Sequence, residues 1–249
     1  MHPLPSNHLR TRAVGILGGM GPAAGADLLQ LFLQACTERL QQTGHAVNDQ
    51  AFPEHWLAQI PAPDRTQALR AASNAPLEPM AAALRKLQSL GVCAVAIGCN
   101  TAHAWHTALQ ARIPEIELLH MPREVASRLQ TRGVGEVALL ATQGTYQTGL
   151  YETALSQAGL TCHLPQEAER EILMQGIYAG VKTGDMALAQ ICFVEVAQQL
   201  LARHGAIPLI MACTEIPLAL PQAAQAASWT LINPAQVLAQ ALASRAYSA

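Results

Sequence analysis

Two cysteines stand where this chain is best placed to do chemistry. The mostly apolar run 92–98 ends at Cys99-Asn100-Thr101, and the run 206–212 ends in the same way at Cys213-Thr214-Glu215. Each run is bounded by Gly or Pro, as suits a strand buried on both faces of a parallel sheet. Ligands of such sheets bind at the carboxyl ends of the strands. A thiol there also meets the positive end of the following helix, which favours the thiolate. Two thiols remote in sequence but alike in setting predict one site with a cysteine on each side. The other four, Cys36, Cys93, Cys162 and Cys192, read as small buried apolar residues. No C-x-x-C pair or Cys/His ligand cluster occurs, so no metal is expected.

Further side chains take on meaning from type and place. The turn Gly18-Gly19-Met20-Gly21-Pro22-Ala23-Ala24 matches the G-x-G-x-x-A of the dinucleotide fingerprint. That fingerprint also needs an acidic residue ending a second strand, and the region concerned holds only Glu38 in a helical stretch. The turn reads instead as backbone N–H groups facing an anion such as a carboxylate. Asp64 reads as the cap of a helical segment entered through Pro61 and Pro63. Arg65 beside it is either structural or a bidentate carboxylate clamp. The chain has two lysines. Lys86 falls on the solvated face of an amphipathic helix. Lys182 is either a favourable cation at a helix end or a second cation facing an acidic substrate. His103 and His106 follow Cys99 at helical spacing, where a Cys–His pair would suggest a thiol hydrolase, but no orienting Asn or Asp is identifiable. His103, Thr214 and Glu215 are placed around the reacting groups, and Glu215 either moves a proton or caps a turn.

These residues must be carried by elements, and composition bounds which. The 249 residues are 51% hydrophobic and 13% charged, enough apolar content for one large or two ordinary domains and too much for a long disordered region. A net charge of −2 without a basic run makes nucleic acid a poor partner. No apolar stretch approaches the ~18 residues of a membrane helix, so no membrane partner is expected. Residues 1–12 form a tail without an apolar core rather than a signal peptide, which predicts a cytoplasmic protein.

Strand-like runs at 13–18, 92–98, 116–120, 136–141, 160–163, 206–212 and 229–232 alternate with helical patterns at 22–42, 77–90, 123–131, 147–157, 167–179, 186–204 and 234–245. Leu188, Ile191, Cys192, Val196 and Leu200 are expected on one helical face. The fold class is α/β with parallel sheets. The chain also repeats itself. Gly21 and Gly144 each lie seven residues after a strand-opening valine, Val14 or Val137, and a strand ending in cysteine follows later in each half. Two similar Rossmann-like or flavodoxin-like lobes with pseudo-twofold symmetry and a site between them follow. The expected division is a tail at 1–12, a first lobe from 13–117 plus 222–249, and a second lobe at 118–221.

Taken together, Ile16-Leu-Gly-Gly-Met-Gly-Pro22, Asn48-Asp-Gln50, Pro63-Asp-Arg-Thr66, Cys99-Asn-Thr-Ala-His103, Leu140-Ala-Thr-Gln-Gly-Thr145, Gly176-Ile-Tyr-Ala-Gly-Val-Lys-Thr-Gly184 and Cys213-Thr-Glu-Ile-Pro217 resemble the aspartate racemase group of the aspartate/glutamate racemase superfamily. The resemblance implies a racemase without cofactor, in particular without pyridoxal phosphate, in which Cys99 and Cys213 face the α-carbon of aspartate or a related acidic amino acid from opposite sides. It implies substrate contacts from Met20, Asn100, Thr101, Ala102 and Thr145, and recognition of an acidic side chain by Arg65, Thr66 and Lys182. It also implies a homodimer. The chain departs from the family pattern at Ala51-Phe52 and at Trp56-Leu-Ala-Gln-Ile-Pro-Ala62, which predicts a more apolar lining beside the site.

Two thiols suit such a reaction physically. Removing a proton from one face of a carbon and returning one to the other takes two acid/base groups with the substrate between them. An amino-acid α-proton is far less acidic than a thiol, so the carbanion needs electrostatic help from the glycine turns, helix N-termini, Arg65 and Lys182. Alternatives are a maleate-type isomerase or related enzyme on a small diacid, and a two-lobed ligand-binding protein without catalysis.

Overall fold

The computed structural model describes residues 10–248. The expected N-terminal tail therefore lies mostly outside the described residues.

The first half builds β1 (Val14–Gly18), α1 (Pro22–Gln42), β2 (His55–Gln59), α2 (Arg65–Arg70), α3 (Leu77–Ser89), β3 (Ala94–Ile97), α4 (His106–Gln110), β4 (Glu117–Leu118) and α5 (Met121–Thr131). The second builds β5 (Glu136–Ala141), α6 (Gln143–Thr148), α7 (Leu150–Gln157), β6 (Thr161–His163), α8 (Glu167–Gln175), α9 (Met186–His204), β7 (Leu209–Ala212), α10 (Ile216–Ala219), β8 (Leu231–Ile232) and α11 (Pro234–Ala246). Two four-stranded sheets result, ordered β2-β1-β3-β4 and β6-β5-β7-β8, and every pairing is parallel. The orders correspond strand for strand, so the internal repeat is a repeat of topology. β3 and β7, the strands that lead to the two cysteines, are buried throughout.

Local chemistry explains the longest elements. Pro22 opens α1 at a position that needs no N–H donor, and Leu28, Phe32, Ala35, Cys36 and Leu40 bury one stripe at helical spacing. Asp185 caps α9 by accepting from the Leu188 N–H, and Gly205 at φ 80° ends it. The buried stripe of α9 is Ala189, Cys192, Phe193, Val196, Ala197 and Leu200. Ile191, expected in that stripe, is 65% exposed.

The sequence reading needs four structural corrections. The segment from residue 56, read as lining beside the site, forms edge strand β2, paired with β1 from Val14↔His55 to Gly18↔Gln59. Its Trp56 is 41% exposed, with the indole N–H donated to Glu54, so none of this apolar surface lines the cleft described below. The helix expected over 147–157 is broken at Gly149, whose φ of 61° no preceding helix continues through. α8 gives way at Gln175 to a wider π turn, Gly176–Gly180. Finally, the stretch from 222 divides between the sheets. β8 pairs with β7 in the second sheet, and only α11 returns to pack on α1.

Candidate active site

Each cysteine occupies the first turn after its strand and is nearly buried, Cys99 at 6% exposure and Cys213 at 5%. Both line one small cleft. Met20, Arg65, Thr66, Asn100, Thr101, Lys182, Thr214 and Glu215, all named from sequence, share that lining. Ala102, Thr145 and His103 do not.

The three that fall outside are held in other ways. Ala102 is fully buried. The Thr145 hydroxyl sits 3.1 Å from those of both Thr101 and Thr142, and Thr101 and Thr142 are 2.9 Å apart. Thr142 caps α6 and reaches the cleft, in the place expected of Thr145. The Nδ1 of His103 bonds the Cys99 carbonyl oxygen at 3.0 Å rather than the thiol, so His103 does not form a nucleophile pair with Cys99. Burial, then neighbouring His106, pushes the His103 pKa down to about 4.

Arg65 opens α2 behind its capping neighbour Asp64. Its Nη1 donates to the carbonyls of Ala62 and Pro63, each at 3.1 Å, and its Nη2 to that of Met20 at 2.8 Å. Three of five N–H groups are spent on backbone, which locks the side chain. Nε, buried without a partner among the described residues, and the second Nη2 hydrogen remain. The guanidinium lies beside Cys99. Asn100 is arranged in the same manner. Its Oδ1 accepts from the Tyr151 hydroxyl, while its buried Nδ2 has no partner among the described residues.

The opposite side is organised around a carboxylate. Glu215 Oε1 lies 3.0 Å from Lys182 Nζ, and Oε2 accepts from Cys213 Sγ at 2.9 Å and from Thr214 Oγ1 at 3.2 Å. Lys182 sits in a single 3₁₀ turn, Val181–Thr183, and is therefore an ion-pair partner rather than the terminal cation of a long helix. Burial alone would lower its pKa, but the Glu215 carboxylate outweighs that and holds it above the usual lysine value. Cys213 is the reverse of the thiolate expected from a helix N-terminus. Burial, then the adjacent Glu215 carboxylate, pushes its thiol pKa well above the ordinary value. The helix that follows, α10, has four residues and little dipole to set against this.

Tyr178, not singled out from sequence, and Asp64, expected only as a helix cap, also line the cleft. The Tyr178 hydroxyl donates to Asp64 Oδ2 at 2.8 Å, and its ring lies under the Lys182 ammonium at 5.4 Å. Tyr178 belongs to the π turn, an irregularity of the kind that recurs at functional sites. No spacing rule reaches Tyr151, Tyr178 or Thr142, because each crosses from the second half to meet a residue of the first. The repeated glycines mark the same crossing. A Cβ on Gly144 would come within 2.9 Å of Thr101 and Thr66, and one on Gly21 would face Glu215 Oε1 at 3.6 Å.

Known proteins share this arrangement of chain. The family model of the Asp/Glu/hydantoin racemases matches residues 17–242. The aspartate racemase of Picrophilus torridus superposes with a TM-score of 0.77 at 27% identity, covering 93% of this chain and 92% of its own. The broad specificity amino-acid racemase RacX of Bacillus subtilis (strain 168) is 26% identical over 214 residues, 82% of this chain and 85% of its own. Glutamate racemase RacE1 of Bacillus anthracis, at 16% identity, shares the fold with a TM-score of 0.65 over 95% of this chain and 82% of its own. These matches bear out the resemblance read from the motifs. The chain belongs to the Asp/Glu/hydantoin racemase family and, with it, to the isomerases.

Proposed function

We propose that the protein is a cofactor-independent racemase of aspartate or a related acidic amino acid, working through Cys99 and Cys213 as paired acid and base. The observation that carries this reading is that both thiols line one small cleft whose neighbouring donors lack partners. The unpartnered Asn100 Nδ2 and the free edge of Arg65 suit carboxylate oxygens. Arg65 and Lys182, both in the lining, favour a substrate with a second carboxylate.

One thiolate removes the α-proton while the opposite thiol returns one to the other face of the carbon. The negative charge that develops on the substrate is met by fixed donors on largely buried residues, where such contacts are strong. The Arg65 guanidinium, held by three carbonyls, costs no reorganisation as that charge appears.

Incubation of Cys99→Ser and Cys213→Ser proteins with L- and D-aspartate in deuterated water tests the reading. Each variant should lose racemisation by at least about a thousandfold, roughly 4 kcal/mol of barrier, and retain at most one-sided exchange. Full two-way racemisation by either variant would refute it. The same assay across acidic and neutral amino acids, read by chiral chromatography, tests the substrate class.

A further inference from the structure

Beside the catalytic cleft the two halves meet along a second crevice, and one of its walls is basic. His103, His106, His120 and Arg123 of the first half line it, facing Thr148 and Thr153 of the second. The backbone fixes where each imidazole keeps its proton, because a carbonyl only accepts. His103 spends its Nδ1–H on the Cys99 carbonyl at 3.0 Å, and His106 its Nε2–H on that of Leu118 at 2.7 Å. His120 Nδ1 accepts the Arg123 N–H at the start of α5, so its proton is on Nε2. Two of the three rings are thus left with a bare nitrogen. That of His103, Nε2, is buried without a partner among the described residues, in a ring that lines the crevice.

Charge shows what this wall lacks. Among the described residues of the lining, the charged and titratable groups are the three rings and Arg123. The opposite element, α7, adds Thr153 and Gln157 but no carboxylate. Arg123 is exposed and makes no ion pair among the described residues. No three His, Cys, Asp or Glu among them are disposed to hold a metal ion. α7 also opens at Gly149 without a side-chain cap, and Leu150, its first residue, lines the crevice, so a positive helix end meets it.

We propose that this crevice binds a tetrahedral oxyanion, the phosphate group of a small metabolite or the free ion, which bridges the two halves. Donors come from two walls rather than one plane, which suits a tetrahedral group better than a planar carboxylate. Arg123 and the His120 Nε2–H donate from one side, the Thr153 hydroxyl from the other. The bare nitrogens of His103 and His106 become donors on protonation, or accept the P–OH proton of a monoprotonated phosphate. Without a counter-charge the rings stay neutral at pH 7. Burial, then His106, pushes the His103 pKa down to about 4, and burial, then His103, that of His120 down to about 3. An anion supplies that charge, so its binding takes up protons. None of these residues lines the catalytic cleft, yet His103 reaches the Cys99 carbonyl, so the ligand bears on the turn that carries a reacting thiol.

Titration calorimetry with sulfate tests the proposal without reference to turnover. Sulfate has the shape of phosphate and keeps both charges between pH 6 and 8. At matched ionic strength its affinity should rise at least about tenfold from pH 8.0 to pH 6.0 through linkage to protonation. Buffers of different ionisation enthalpy should report about half a proton or more taken up per anion at pH 6.0. Arg123→Gln should weaken binding by about tenfold or more, and Thr153→Val, on the opposite wall, by about threefold, as each removes a donor to a charged oxygen. Full-strength binding by either variant puts the anion elsewhere, the catalytic cleft included, and overturns the proposal. So does an affinity that is flat with pH, or no binding by the wild-type protein. Inorganic phosphate and glycerol phosphate, titrated in the same way, separate the free ion from a phosphate ester as the occupant. Binding of neither overturns the proposal.

Discussion

A side-chain amide can donate or accept, and Tyr151 decides which for Asn100. With Oδ1 committed to a buried tyrosine hydroxyl, the group left over is Nδ2, a donor suited to carboxylate. Tyr151→Phe removes the commitment while keeping the ring that fills the core. The freed amide can then rotate, and a buried oxygen loses its partner at a cost of about 1–3 kcal/mol. We expect kcat/KM to fall about tenfold, mainly through KM, with a measurable drop in Tm. Unchanged kinetics would mean that Asn100 does not meet the substrate. Cys99 and Cys213 were legible because a reactive residue type coincided with a strand end, and both facts are local. Tyr151 was not, because its meaning comes from a partner 51 positions away. Glu215 was visible as a residue but not as a contact, since only folding brings its carboxylate to Lys182 and to the sulfur.

Elements with one strong periodicity and clear punctuation were read to the residue. α1 begins at a proline after an extended glycine, and α9 runs from an aspartate cap to a glycine stop. β2 was missed because an edge strand of His, Trp and Gln, partly exposed along its length, carries neither alternation nor a buried run. The break between α6 and α7 hides in one glycine, and the π turn in two. Gly176 and Gly180 lie so close to α9 that a Cβ would meet Phe193 and Cys192, or the Ala189 backbone. Gly144 makes the sharpest prediction at this scale, because it sets how closely α6 approaches α2. An added methyl would meet the Thr66 backbone at 3.1 Å and two threonine side chains at 2.9 Å, contacts that are relieved if the halves part. Gly144→Ala should cost about 1–3 kcal/mol in stability by overpacking. Its kcat/KM should fall by a larger factor than that loss explains at saturating folded protein, since Thr66 and Thr101 both line the cleft. Activity near wild type in a folded variant would show that the seam has slack there.

At the scale of the molecule, the two halves also meet along a crevice beside the site, lined by His103, His106, His120 and Arg123 on one side and Thr148, Leu150 and Thr153 on the other. The three imidazoles are in mutual contact, with ring centres 4.7–6.2 Å apart. Among the described residues that line the crevice there is no carboxylate to compensate a proton gained. Burial, then His106, brings the His103 pKa down to about 4, and burial, then His103, brings that of His120 down to about 3. Because these values lie below the unfolded one near 6.5, the unfolded chain binds protons first as pH falls. The stability they contribute is thus complete above about pH 6.5 and is lost from there down towards pH 4, at up to about 1.4 kcal/mol per pH unit for buried His103 and less for His120, whose ring water partly screens. Urea unfolding at pH 7.5, 6.0 and 5.0 should show a midpoint that declines steeply with acid. His103→Asn should decline less, since an asparagine amide can occupy the place of Nδ1 against the Cys99 carbonyl without gaining a charge. A variant as acid-sensitive as the wild type would move the cause of that sensitivity away from this seam.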